Sequence, residues 1–221
     1  MKKVFLLSLI ITLLLTVSCK HTVKEYYPNG TLRSVVEYKG KVQDGLAVYY
    51  DASGVKNMEV TMVKGKKEGR LRTFFFNGNL ETEEFYHNDL LNGMQTIYNL
   101  DGLKLTEIEF KDGVMNGSYK EWHERDILKC VGQYADGLWD GHWEYYDFRG
   151  FLIAEGNYEK GNGDQLNYKD TGVLYKKTHY ENGTKNGEEF YYDSQGNVTN
   201  TIVYKDDRMV SLNGEIINND Q

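Results

Sequence analysis

Asp136-Gly-Leu-Trp-Asp-Gly-His-Trp-Glu-Tyr-Tyr-Asp-Phe-Arg-Gly150 decides the fold, because two of its glycine positions, Gly141 and Gly150, recur along the chain. Gly141 belongs to the series Gly45, Gly69, Gly93, Gly117, Gly141, Gly163 and Gly187, spaced 24 residues apart except for one step of 22. Gly150 belongs to a second series that also steps by 24, with Asp126 standing where a glycine would fall and the same single step of 22 before Gly172. Two phases that shorten together mark one two-residue deletion, in Lys160-Gly161-Asn162-Gly163. A fixed period of this length is the signature of a repeat architecture.

Two aromatic columns keep step with the glycines. Tyr26, Tyr50, Phe74, Tyr98, Trp122, Tyr146, Tyr168 and Tyr192 precede the second series by four residues, and a column from Tyr38 to Tyr204 follows it by eight. Between these marks the chain alternates with period two. Leu152, Ala154, Gly156 and Tyr158 fall on one face, and Ile153, Glu155 and Asn157 on the other. That alternation is a half-buried strand and not a helix. Both glycine series are therefore read as turns, with Asn-Gly and Asp-Gly pairs suited to positive φ. Asp tolerates that region better than most residues, which accommodates Asp126.

A lone hairpin of this size cannot bury enough surface to be stable. Stacked hairpins can, through nearest-neighbour contacts. The expectation is an all-β, elongated array of antiparallel β-hairpin repeats of about 24 residues, forming a twisted, curled meander sheet. The repeats should occupy 26–204, with a degenerate cap and flexible tail at 205–221.

The unit from Tyr134 to Gly150, and again from Tyr180 to Gly196, resembles the MORN-repeat variant of bacterial proteins, often labelled YwqK-type antitoxins. The resemblance covers nearly all of the chain after its leader. It implies an antiparallel β-repeat with a scaffold or protein-binding role, and it carries an antitoxin or immunity role as the alternative.

The chain opens MKKVFLLSLIITLLLTVSC. Two lysines, an apolar run and small residues make a secretory signal over 1–18, too short to be a first choice for a spanning helix. Leu15-Thr16-Val17-Ser18-Cys19 resembles a bacterial lipobox, with Thr16 where leucine is usual. That likeness implies lipidation of Cys19, a short tether over 19–25, and an exported protein held on the outer membrane or cell surface by its acyl chains. Ordinary cleavage that leaves Cys19 free is the other outcome.

The formal charge is −7, and losing Lys2 and Lys3 with the leader makes the chain more acidic still. No nucleic acid is expected as a partner, since such binders show a basic face. Cys19 and Cys130 are too few for a disulfide framework. Cys130, in the alternating set Leu128, Cys130, Gly132 and Tyr134, reads as a small buried side chain. The five histidines have no metal-ligand spacing and most read as solvated residues at or near turns, so no metal and no cofactor are expected. There is no nucleophile elbow and no phosphate loop. Acid pairs such as Glu107 with Glu109 share the wet face of a strand, so no enzyme is expected. Trp139, Trp143 and Trp122 are the candidate ligand-stacking residues, with Trp139 placed in a turn and open to a cell-wall glycan. A protein partner at the envelope is the first functional expectation, and a cell-wall-binding module a further one.

Overall fold

The computed structural model describes residues 19–217; the signal peptide expected at 1–18 and the tail expected at 218–221 lie outside the described residues. The described chain is a single antiparallel sheet of 19 strands. The first third holds β1 (Lys20–Tyr26), β2 (Leu32–Lys39), β3 (Val42–Tyr50), β4 (Lys56–Val63), β5 (Lys66–Phe74) and β6 (Leu80–His87). The middle holds β7 (Leu90–Leu91), β8 (Gly93–Tyr98), β9 (Lys104–Lys111), β10 (Val114–Trp122), β11 (Leu128–Ala135) and β12 (Leu138–Tyr146). The last part holds β13 (Leu152–Glu159), β14 (Asn162–Tyr168), β15 (Leu174–Glu181), β16 (Thr184–Tyr192), β17 (Val198–Lys205), β18 (Arg208–Leu212) and β19 (Glu215–Ile216). Each strand pairs with its successor, except that β7 and β8 are one interrupted strand lying beside β6. The sheet is open, with β1 at one edge and the short β19 beyond β18 at the other. The meander expected from the sequence is thus the observed fold.

Two boundaries differ from expectation. Lys20–Tyr26 is not a tether: from Lys20 onward it is strand β1, in register with β2 from Lys20↔Lys39 to Tyr26↔Leu32. The cap region contains two further strands, β18 and β19, so the meander continues beyond Lys205.

The hairpins close by two kinds of turn on opposite edges of the ribbon. On one edge, two-residue turns such as Asp136–Gly137 (φ 52° and 83°) and Asn88–Asp89 (φ 50° and 71°) hold both central residues at positive φ, as a tight hairpin requires. Each also bonds to the preceding repeat: Gly137 N–H donates to Met115 O at 2.9 Å, Asp89 N–H to Lys67 O at 3.1 Å, and Gly113 N–H to Leu91 O at 2.8 Å. On the other edge, four-residue turns end at the second glycine series. An Asp or Asn at the first position organises several of them. Asp147 Oδ1 accepts from the N–H groups of Arg149 (2.8 Å) and Phe151 (3.0 Å), and Asp51 does the same for Ser53 and Val55. Asp126 takes φ 58° at its turn.

The first glycine series does not form turns. Gly45, Gly69, Gly117, Gly141 and Gly187 lie inside strands, at a bulge where the pairing skips two residues. Between β2 and β3, for example, Val36 faces Ala47 but Tyr38 faces Gln43. A side chain from the neighbouring strand folds over the bulge. The Glu37 carboxylate accepts Leu46 N–H at 3.2 Å, and a Cβ at Gly45 (φ 137°) would collide with it. Glycine is there for close approach as much as for its φ.

One face carries the core. It contains Val36, Ala47, Val60 and Leu71 in one cluster, and Cys130, Trp143 and Tyr158 in another, with Tyr119, Tyr134, Trp139, Tyr145 and Tyr180 packed against the second. Ala47, Leu71, Tyr119 and Trp143 each stand two residues after a bulge glycine, and Gln95, Gln165 and Glu189 continue that column. The polar members are satisfied in place. Gln95 donates to Glu84 at 2.7 Å, and Glu189, 1% exposed, receives Thr178 Oγ1 (2.7 Å), Lys185 Nζ (3.0 Å) and Tyr191 Oη (2.9 Å).

Candidate functional site

The two-residue deletion has a structural consequence. Between β13 and β14 the pairing runs without a break from Ala154↔Asn167 to Glu159↔Asn162, so the deleted pair is the bulge itself. Strands β12 to β15 therefore carry two unbroken transverse rows on the face opposite the core. One reads Glu144–Glu155–Leu166–Lys177, extended to Phe190 on β16. The other reads His142–Asn157–Asp164–His179. A third row lies beside them toward the four-residue turns. Its members are Tyr146, Ile153, Tyr168, Tyr175 and Tyr192, each one residue beyond the aligned Tyr145, Ala154, Asn167, Lys176 and Tyr191.

These rows border a shallow groove. Glu155, Asn157, Asp164, Leu166 and Lys177 line its first depression; Asp164 and Lys177 continue into a second with His179, Glu188 and Phe190. The side chains are held by one another. Tyr146 Oη donates to Glu144 at 2.9 Å, and Tyr168 Oη donates to Glu155 at 2.6 Å. His142 Nδ1 meets Asn157 Oδ1 at 3.0 Å while its Nε2 lies 3.6 Å from Glu144 and 3.9 Å from Glu155. Asp164 meets His179 Nδ1 at 2.8 Å and Lys177 Nζ at 2.7 Å. Partial burial alone would raise the Asp164 carboxyl, but the bonds from Lys177 and His179 prevail and hold it below the usual range. Burial and the Glu155 bond push the Tyr168 phenol up to about 12. The groove thus offers an ionised acid, a paired ammonium, an amide and ring faces, which is equipment for recognition.

The tryptophan candidates come apart. Trp143 is 2% exposed on the core face, its indole N–H bonded to Gln133 O at 3.0 Å. Tyr119 (5.4 Å), Tyr134 (5.1 Å), Trp139 (5.9 Å) and Tyr145 (6.2 Å) surround it. Trp139 is not in a turn; it lies in β12, half-buried against Tyr158 (5.2 Å) and Tyr180 (5.4 Å). Trp122 is three residues beyond Tyr119 on β10 and points to the opposite face, where Lys104 lies 6.0 Å from its ring. The three cannot form one stacking surface. Residues of the groove were missed because the histidines read mostly as solvated residues at or near turns, whereas His142 and His179 are mid-strand; the signal that could have found them was the 22-residue step itself.

Cys19 is exposed and directly precedes β1. Cys130 is 4% exposed, and burial pushes its thiol up to about 12. Among the described residues, no group of three or more His, Cys, Asp or Glu side chains is placed to hold a metal ion, and no helix is long and apolar enough to cross a membrane. Against known proteins, the chain matches the MORN repeat variant family model at residues 22–39 and 67–88. No curated protein matches it. Each matched segment is a strand, a four-residue turn and the next strand, the unit that recurs through the whole sheet; the chain is in this respect similar to MORN-variant repeat proteins.

Proposed function

We propose that the chain is a non-enzymatic repeat scaffold, anchored to the envelope membrane through a lipid on Cys19, that binds another protein along the edge formed by its four-residue turns. One observation carries the protein-binding part. Phe76 (76% exposed), Leu100 (44%) and Phe148 (70%) occupy the same position of the four-residue turns that end at Gly78, Gly102 and Gly150, with Glu124 at that position of the turn between the last two and Phe151 (60%) beside the last. Large apolar groups in register along one edge are a surface suited to a partner. The edge is also pre-ordered: Asn77 Nδ2 donates to Leu100 O at 3.0 Å, Asn29 Nδ2 to Ala52 O at 3.1 Å, and the Arg149 guanidinium reaches Asp170 at 2.9 Å. Little ordering cost then remains for binding. The anchor is supported by the leader composition and by the exposure of Cys19 at the head of β1.

Affinity capture from envelope extract tests the reading, comparing the parent chain with the double variant Phe76→Ser, Phe148→Ser. A protein retained by the parent and lost by the variant is expected. Equal retention by both, or none by either, would sink the edge as the binding surface. A retained secreted toxin would favour the immunity role. Cys19→Ser should move the chain from the membrane to the soluble fraction; if it stays, the lipid anchor is wrong.

A further inference from the structure

The groove over β12–β16 lies on the face opposite the core, bordered by the edge of four-residue turns, and admits a ligand of different chemistry. Its floor strands are paired on both sides, so no free backbone is offered and a partner strand cannot add there. Recognition must come from side chains. Those side chains give a polar floor with the Phe190 ring at one end, and the tyrosine row stands beside it on the same face, a setting that suits a ligand having both apolar faces and a rim of hydroxyls. Three carboxylates, Glu155, Asp164 and Glu188, line the depressions against one ammonium, Lys177, which disfavours phosphorylated or otherwise polyanionic chains. A neutral, hydroxyl-rich chain meets no such repulsion.

Spacing narrows the class. Tyr146, Tyr168 and Tyr192 stand on alternate strands, hence about 9.6 Å apart at ordinary strand separation, and a β-1,4-linked disaccharide repeats at about 10 Å. In such a chain successive rings are flipped, so every second ring shows the same face to the same side. The rings of Tyr146 and Tyr168 are tied at their hydroxyls to Glu144 and Glu155, which fixes them before a ligand arrives. The two depressions, about 370 and 360 Å³ and joined at Asp164 and Lys177, follow this row across the strands. They lie where the missing bulge leaves Asn157 facing Asp164 directly.

We infer that this groove binds a linear, uncharged β-1,4-linked glycan, running across the strands with alternate rings on Tyr146, Tyr168 and Tyr192. The two-residue deletion is then a site-forming change in an otherwise uniform array.

Titration calorimetry of the full chain with the β-1,4-linked hexamer of N-acetylglucosamine tests this, with the α-1,4-linked hexamer of glucose as comparator. Saturable binding of the β-linked hexamer is expected, at least tenfold tighter than the α-linked one. Tyr168→Ala and the exposed Asn157→Ala should each weaken it at least tenfold. Should Tyr168→Ala fail to fold, Asn157→Ala alone decides. Two residues inserted between Gly161 and Asn162 restore the 24-residue period. They should abolish binding while the β circular-dichroism signal stays unchanged. No binding, equal binding of both hexamers, or undiminished binding in the folded variants overturns the assignment. The Phe76→Ser, Phe148→Ser chain should bind the hexamer normally, so failure of the protein-binding edge and failure of the groove are separable.

Discussion

Trp143 shows how a side chain that reads as a ligand platform can be core. Its column, two residues after each bulge glycine, also holds Ala47, Leu71 and Tyr119, and that company was visible in the sequence. The bulk of the indole drew the functional reading instead. Trp143→Ala should cost about 3–5 kcal/mol in chemical denaturation, whereas Trp122→Ala, from a half-buried ring on the other face, should cost about 1 kcal/mol. Equal losses would mean that the two faces are not distinguished as described. Glu189 is less legible, because an acid in a core column looks like a solvent-facing one until its partners are seen. Burial would raise its carboxyl, but the bonds from Thr178, Lys185 and Tyr191 outweigh that and keep it below the ordinary 4.5. A pKa lower in the folded than in the unfolded chain gives stability that is full above the unfolded value and lost as pH falls through the folded one. Glu189→Gln should therefore cost about 2 kcal/mol near neutrality, with the gap to the parent closing as pH falls below the ordinary 4.5 and through the lowered folded value. A gap independent of pH would contradict the ionised, hydrogen-bonded state.

At the scale of elements, the alternating strands and the four-residue turns of the second glycine series were plain from the period, whereas the two-residue turns were expected at the first glycine series, about four residues beyond where they form. The role of the first glycine series was not plain. A glycine repeating every 24 residues serves a turn or a bulge equally well on spacing alone, and only the pairing of Val36 with Ala47 and Tyr38 with Gln43 separates them. The same holds for the deletion. Its place at Lys160–Gly163 could be read exactly because two columns slip together, yet what it removes is a property of the β13–β14 register. The groove follows from that register, so no motif announced it. Strand β1, read as a short tether, was missed for a related reason: Lys20–Tyr26 lacks a preceding partner, and its strand character comes from β2, which supplies the ladder.

For the whole molecule, each two-residue turn bonds backward to the repeat before it, and each core side chain touches mainly its neighbours. Stability is then built from local terms along an open sheet, without a central core enclosing the chain. That arrangement suits a scaffold, because it leaves two edges and one full face free for partners. It also sets the most direct test of the account, small-angle X-ray scattering of the chain beginning at Lys20. Eighteen strand positions side by side, β7 and β8 sharing one, give a ribbon roughly 80 Å long, with a radius of gyration of about 24 Å. A compact domain of the same length would give about 16 Å. A value near the first, with an elongated pair-distance distribution, is the expected result; a compact, symmetric distribution near the second would contradict the open array.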